Sequence, residues 1–187
     1  MTVKGKKILI TGGTGFIGSA TAERLADDND LVLYDLKAGG PIEYTDLLSR
    51  PNVQFVQGDI CDPVAMEAAL EGVDIVIHAA ALKHVPSCEK FPYEAYKTNV
   101  GGSQNACRTA KAAGVKTFVA LSTDKAVYPS SVMGASKRLG EQLLLARSPL
   151  MFVHVPGLWA TSRIARVRVF VCVCACARAR ACVCVCV

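Results

Sequence analysis

The stretch Lys7-Ile-Leu-Ile-Thr-Gly-Gly-Thr-Gly-Phe-Ile-Gly18 restricts the fold of this chain more than any other. Ile8, Leu9 and Ile10 form a short apolar run of the kind carried by a strand buried on both faces. The glycines that follow make a tight turn, and a helix starts near Phe16. Gly13, Gly15 and Gly18 match G-x-G-x-x-G, while Gly12, Gly15 and Gly18 match G-x-x-G-x-x-G. Glycine serves three purposes in such a loop: a sharp turn, close approach of the backbone to a pyrophosphate, and close contact between helix and strand. The helix N-terminus adds free N–H groups and the positive end of a dipole. The pattern predicts a dinucleotide site, with Gly12, Gly15, Phe16, Ile17 and Gly18 lining it.

The next strand, Leu31–Asp35, ends on an acid 23 positions after Gly12. That is close to the spacing of about 20 expected of a carboxylate that binds the ribose hydroxyls of NAD. Lys37 stands near enough to suit a 2′-phosphate, so NADP or NAD is the expected cofactor. A third strand, Val53–Gln57, is followed by Asp59 and Ile60, where an Asp can meet the adenine. Asp62 and Pro63 mark a helix start. The fourth strand, Asp74–His78, leads into Ala79, Ala80 and Ala81, whose small side chains leave room for a cofactor against the backbone.

A long helix is expected over about 92–113, with Gly101-Gly102 as its weak point. Thr117–Leu121 then makes a fifth strand, 131–146 a helix, and Met151–Val155 a sixth strand. Residues 36–52 read as a loop with a helical turn near 45–48. Apolar strands alternating with helices mean an α/β fold: a doubly wound parallel sheet covered on both faces, with strand order 3-2-1-4-5-6 and the ligand over the carboxyl ends.

Composition adds little until the chain is divided. The net charge is +5, but Arg163, Arg166, Arg168, Arg178 and Arg180 all lie near the end, and no acid follows Glu141. Without those five the body is neutral, so nothing suggests nucleic acid as a partner. Cys61, Cys88 and Cys107 are scattered as in a reduced, cytoplasmic protein, and the other six cysteines crowd into 172–186. No secretory signal precedes the first strand, and Arg178 and Arg180 break the longest apolar run, so no membrane span is expected.

Leu121-Ser-Thr-Asp-Lys-Ala-Val-Tyr-Pro-Ser-Ser-Val-Met-Gly-Ala-Ser-Lys137 resembles the nucleotide-sugar epimerases and dehydratases of the extended short-chain dehydrogenase/reductase superfamily. It is most similar to the polysaccharide-biosynthesis branch of UDP-N-acetylglucosamine inverting 4,6-dehydratase/5-epimerases. Ala80-Ala-Leu-Lys-His-Val-Pro-Ser-Cys-Glu89 and Lys97-Thr-Asn-Val100 look like the same branch. The resemblance covers about 5–155. It implies a Rossmann-like NAD(P)-binding fold and an enzyme that oxidises sugar carbon 4, removes water across carbons 5 and 6, and returns the hydride.

Oxidation at carbon 4 acidifies the carbon 5 proton, so a base can take it, and loss of the carbon 6 hydroxyl needs an acid. By resemblance Lys125 is the base and Asp124 the acid. A lysine base must be partly neutral, which desolvation would arrange. Thr123 would hydrogen-bond the sugar, and Lys137 would hold the nicotinamide ribose. Met133 stands where the superfamily motif has a tyrosine and cannot take a proton, which leaves the base for the carbon 4 hydroxyl unassigned; Tyr128 is a stand-in. Asn99 is expected to support its helix beside the cofactor, and Lys83 and His84 lie on a loop within reach of the substrate. No metal is expected at this site, and a homo-oligomer stays open.

The resemblance stops after Val155, where similar enzymes continue into a region that grips the nucleotide sugar. Val171-Cys-Val-Cys-Ala-Cys-Ala-Arg-Ala-Arg-Ala-Cys-Val-Cys-Val-Cys-Val187 instead reads like translated dinucleotide-repeat DNA. The expected division is therefore a dinucleotide-binding domain over 1–155 and an aberrant, disordered tail over 156–187. A soft-metal site on the C-x-C steps and an apolar strand are the other readings of that tail. Three functions follow: an active dehydratase or epimerase, a truncated non-catalytic NAD(P)-binding fragment, and a sensing domain without chemistry.

Overall fold

The computed structural model describes residues 3–147, 151–155, 158–161 and 168–173. Five strands alternate with helices through the first two thirds of the chain: β1 (Lys7–Thr11), β2 (Asp30–Asp35), β3 (Val53–Gln57), β4 (Ile75–His78) and β5 (Thr117–Ser122). They pair in the parallel order β3-β2-β1-β4-β5, so their carboxyl ends share one edge. Around them lie α1 (Phe16–Leu25), α2 (Pro63–Ala69), α3 (Val85–Lys90), α4 (Pro92–Tyr96), α5 (Ser103–Ala112) and α6 (Val132–Arg147).

Strand periodicity sorts the core onto the two faces of the sheet. Ile8, Ile10, Leu31, Leu33, Ile75 and Ile77 pack with Ala22 and Ala26 of α1. Leu9, Val32, Val76 and Phe118 point the other way, onto Met66 of α2, Ala106 and Ala110 of α5 and Leu144 of α6. Ile8, Leu9 and Ile10 are all essentially inaccessible to solvent, as a strand covered on both faces requires.

Local signals set the helix starts. Asp62 accepts from the amides of Val64 and Ala65 at 2.9 and 3.2 Å, with Pro63 opening the first turn of α2. The expected helix over 92–113 is continuous but not uniform. Lys97–Gly102 forms a π-helical segment between α4 and α5, at the Gly101-Gly102 weak point. Gly102 lets Ile60 pack against it: a Cβ there would sit 2.5 Å from the Ile60 side chain, which would have to shift. The loop after β2 holds two 3₁₀ turns, Gly40–Tyr44 and Leu47–Ser49. Helix α3 was not expected: Pro86 suits a first turn, but Cys88 is its one buried residue, too few for a visible period.

One expectation is corrected. The sixth strand, β6 (Met151–Val155), does not lie beside β5. The strand β8 (Arg168–Val173) occupies that place, parallel to both, and β7 (Leu158–Thr161) closes the edge antiparallel to β6, giving β3-β2-β1-β4-β5-β8-β6-β7. Val, Phe and Cys favour extended backbone, and the open ladder of β5 accepts six residues in register, Thr117 to Ser122 against Arg168 to Val173. Thus β7 and β8 both come from the stretch expected to form a tail; residues 174–187, with most of the C-x-C steps, lie outside the described residues. Among the described residues no helix is long and apolar enough to cross a membrane, and no group of three or more His, Cys, Asp or Glu side chains is placed to hold a metal ion.

A buried polar network crosses the sheet beneath the carboxyl edge. Ser103 Oγ donates to the Asn99 carbonyl at 2.7 Å and therefore accepts from His78 Nε2 at 2.9 Å. His78 Nδ1 then accepts from the Thr11 hydroxyl at 2.7 Å, whose oxygen accepts the Ala80 amide at 3.3 Å. These bonds assign the neutral Nε2–H tautomer.

Burial, with a contribution from Lys137, pushes the His78 pKa from 6.5 down to about 3. Across that window the unfolded chain binds a proton that the native protein refuses. Stability is therefore lost as pH falls from about 6.5 toward 3. We expect the urea midpoint to drop more between about pH 7 and about pH 4.5 in the wild type than in His78→Gln. Equal drops would show that the acid sensitivity lies elsewhere.

Candidate functional site

The carboxyl ends of β1 to β4 open onto a cleft of about 450 Å³. Gly12, Gly15, Phe16, Ile17 and Gly18 form one wall, and Asp35 stands at the end of β2. Asp59 and Ile60 follow β3, and Ala79, Ala80, Ala81 and Lys83 follow β4. The parallel order brings these segments to one edge although they are far apart in the chain.

Three glycines of the loop do different work. Gly12 has φ +67°, and a Cβ there would lie 2.8 Å from the Ala80 amide nitrogen. A Cβ on Gly18 would overlap the Gly12 carbonyl oxygen, so the first turn of α1 closes directly against the loop. Gly15 is extended, at φ −73° and ψ 172°, and its Cβ would meet only the Gly12 oxygen at 3.2 Å; its open side belongs to the cleft. No side chain caps α1. Its first amides are thus left for an anion, as a pyrophosphate needs.

The acids are held before any ligand arrives. Asp35 Oδ2 accepts from the Thr14 hydroxyl at 2.7 Å and the Thr14 amide at 3.1 Å, and Oδ1 accepts from the Leu36 amide at 2.8 Å. Asp59 Oδ1 accepts from the Cys61 amide at 2.8 Å. Buried Tyr34 supports that turn: its hydroxyl donates to the Asp59 carbonyl at 2.9 Å, and burial first, then Asp62, pushes its pKa up to about 12. Gly58 is obligatory because a Cβ would overlap the Tyr34 ring. Cys61, on the same wall, is pushed up to about 11, chiefly by burial and then by Asp59.

The residues expected to do chemistry gather after β5. Thr123 starts a 3₁₀ turn over Asp124–Ala126, and its hydroxyl donates to Asp124 Oδ1 at 2.9 Å. The same carboxylate oxygen accepts the Lys125 amide at 2.9 Å. Asp124 and Lys125 are exposed, so the desolvation expected of a lysine base is not supplied by the described residues. Burial bears on Lys137 instead and lowers its pKa to about 8; its Nζ donates to the Leu121 carbonyl at 3.0 Å. Lys137 lines a separate void of about 10 Å³ with His78, Asn99 and Ser122, outside the 450 Å³ cleft.

Met133 is buried with Cys88 and Ala95 on the inner side of α6. A thioether behaves as an apolar packing group, so the position is closed to the reacting atoms. Asn99 also lies off the cleft wall: Oδ1 accepts the Leu82 amide at 2.8 Å, and Nδ2 donates to the Leu82 carbonyl and Ser136 Oγ, both at 3.0 Å. It ties the loop after β4 to α6. His84 is exposed at the start of α3, and Tyr128 is almost fully exposed.

Thr14, Tyr34, Gly58, Glu94, Lys97 and Thr98 also belong to the cleft or its supports. Of these, Thr14 carried a signal as the hydroxyl inside the glycine loop, and Lys97 and Thr98 stand in the Lys97-Thr-Asn-Val100 motif. The two glycine roles separate by experiment. We expect Gly15→Val to fold with a near-normal midpoint and lose dinucleotide binding by calorimetry. Gly18→Ala should lose about 1–3 kcal/mol of stability through overpacking against Gly12. A Gly15→Val chain that binds as the wild type does would refute the cleft as the phosphate site.

The sequence pattern of a family described as polysaccharide biosynthesis protein matches residues 8–154. A UDP-glucose 4-epimerase of Rickettsia canadensis is 42% identical over 149 residues, covering 76% of this chain and 44% of its own length. The inverting UDP-N-acetylglucosamine 4,6-dehydratase of Campylobacter jejuni is 40% identical over 144 residues, covering 75% and 43%. The dTDP-glucose 4,6-dehydratase DesIV of Streptomyces venezuelae, solved with NAD and TYD bound, superposes with a TM-score of 0.72 at 28% identity, covering 79% and 54%. The chain thus spans under half the length of these two curated relatives. The matched region holds β1 to β5, the glycine loop and the Thr123–Lys125 turn, and the chain belongs to this polysaccharide-biosynthesis family of nucleotide-sugar epimerases and dehydratases.

Proposed function

We propose that residues 1–155 are the NAD(P)-binding domain of a nucleotide-sugar 4,6-dehydratase/epimerase whose substrate is UDP-N-acetylglucosamine or a related UDP-sugar. The observation that carries this reading is the Asp124–Lys125 pair on a turn at the carboxyl end of β5, on the sheet edge that also bears the glycine cleft. A bound nicotinamide dinucleotide would supply the hydride acceptor for carbon 4 and the donor that restores it. The cleft fits such a group: a loop closed to any Cβ at Gly18, uncapped amides on α1, and two pre-held carboxylates.

The chain's own residues divide the remaining work. Asp124, fixed through Oδ1 by Thr123 and the Lys125 amide, gives a proton to the departing carbon 6 hydroxyl. Lys125 takes the carbon 5 proton, and a sugar seated over the turn would provide the desolvation that the free turn lacks. Thr123 also offers its oxygen to the sugar. Lys137, whose pKa burial lowers to about 8, would bind the nicotinamide ribose.

The test is mass spectrometry of the 187-residue chain with UDP-N-acetylglucosamine and NAD or NADP. Loss of one water from the sugar, reduced at least about a hundredfold in Lys125→Ala and Asp124→Asn, is the expected result. A product of unchanged mass, separable as the carbon 4 epimer, would place the activity with the epimerases instead. Conversion of neither kind would overturn the catalytic reading.

A further inference from the structure

Helix α6 carries a buried acid that the proposed reaction does not use. Glu141 is 6% exposed and stands one turn after Lys137, so both side chains leave the same face of the helix. That face is pressed against the π-helical segment: a Cβ on Gly140 would lie 2.9 Å from the Asn99 carbonyl oxygen. Lys137 and Glu141 line the same void of about 10 Å³, with His78 of β4, Asn99, Ser103 of α5 and Ser122 of β5. Arg138 meets the Glu141 carboxylate at 3.3 Å, but its side chain is about half exposed and water screens its charge. His78 stays neutral, with a pKa pushed down to about 3. Among the described residues at this void, Glu141 is thus the buried charge that faces Lys137.

A carboxylate taken out of water acts on a neighbouring ammonium more strongly than an exposed one does. Burial lowers the Lys137 pKa to about 8, and Glu141 works against that fall. The balance decides what Lys137 can give. Its ammonium has three protons, and the Leu121 carbonyl takes one at 3.0 Å. Two remain for the oxygens of the ribose hydroxyls, whereas the neutral amine would keep only one. We propose that Glu141 is a positioning residue for the cofactor: it keeps Lys137 charged, and so able to give the nicotinamide ribose both of its free protons. The inference rests on the dinucleotide reading of the cleft and on Lys137 as the ribose ligand, and adds the group that sets the charge of that ligand.

Two measurements on the full chain test it. One is an NMR titration of ε-13C-labelled lysine, with the Lys137 signal identified by its loss in Lys137→Gln. The other is calorimetry with NAD, or with NADP if that binds more tightly, from about pH 6.5 to about pH 9.5. Cys61 and Tyr34 on the cleft wall, pushed up to about 11 and about 12, keep their protons across most of that range. In the wild type Lys137 should titrate near pH 8, and affinity should fall at least about tenfold over the range, the worth of one hydrogen bond to a charged group. Glu141→Gln should lower the Lys137 midpoint by about one pH unit, a common effect of losing a nearby opposite charge. It should bind like the wild type near the acid end and lose affinity earlier as pH rises. Glu141→Asp keeps the charge and should restore most of the midpoint, and Arg138→Ala should not lower it. A residue that merely supports α6 would weaken binding equally at every pH. Uniform weakening, an unchanged Lys137 midpoint in Glu141→Gln, or an equal fall in Arg138→Ala therefore overturns the proposal. Should Glu141→Gln unfold, Glu141→Met, of similar volume and without charge, is read in the same way. Wild-type affinity that does not change with pH refutes the proposal while leaving the cleft a dinucleotide site; binding of neither dinucleotide refutes the dinucleotide reading itself, and this proposal with it.

Discussion

The overlap that any side chain on Gly18 would make with the Gly12 carbonyl governs this structure. It forces α1 to begin at the point where β1 ends, and so fixes the helix over the adjacent strands. Gly12 is just as constrained on its other side, where the Ala80 amide leaves no room for a Cβ. The loop is therefore gripped between its own helix and the backbone after β4. What space remains is the cleft. A ligand site and a folding constraint are one arrangement here, and the glycines cannot be traded for stability without closing the site.

A second constraint comes from the polar chain of Thr11, His78, Ser103 and Asn99. Each hydroxyl in it both gives and receives, so none is left unsatisfied in a region where an orphan would cost about 1–3 kcal/mol. The chain runs from the end of β1 through β4 to the π-helical segment, and Asn99 continues it to Leu82 and Ser136. The glycine loop, the wall after β4 and helix α6 thus share one set of hydrogen bonds. The π-helical segment, a feature common at functional sites, carries the residue through which these three parts meet.

How much of this the sequence showed depended on the range of the forces involved. The glycine loop, Asp35 and the Asp62 cap were legible because each is a local rule: a turn, a strand end, a helix start. Strands β1, β2, β4 and β5 were legible because burial on both faces leaves an apolar run, whereas β3, half exposed with Gln54 and Gln57, was legible from its alternation. The places of Asn99 and Met133 were not, because each is decided by what a distant segment brings to it. Asn99 was expected to support its helix beside the cofactor, but the sequence did not name the partners it bonds, Leu82 and Ser136. Met133 stands at a motif position and is turned into a pocket with Cys88 and Ala95. A strand was one open reading of the tail that holds β8, but Arg-Val-Phe-Val-Cys-Val is apolar on both faces after its first residue, so nothing in it named its neighbour. Only the open edge of β5 selects it.

The separation between cleft and catalytic turn carries the last step. The cofactor wall is built from β1 to β4, whereas Thr123, Asp124 and Lys125 hang from β5, Thr123 half-buried and the other two exposed. Asp124 is oriented by Thr123 and by its neighbour's amide, a clamp entirely within three residues. Helix α6 joins the two: Gly134 packs against the Lys125 carbonyl, Ser136 accepts from Asn99, which holds Leu82 of the cleft wall, and Lys137 reaches the Leu121 carbonyl just before the turn. Lys137 is accordingly placed to register the turn against the sheet edge where the cofactor lies. Burial weakens its hold on a proton and lowers its pKa to about 8, and the bond to the Leu121 carbonyl uses one of the protons it keeps when charged.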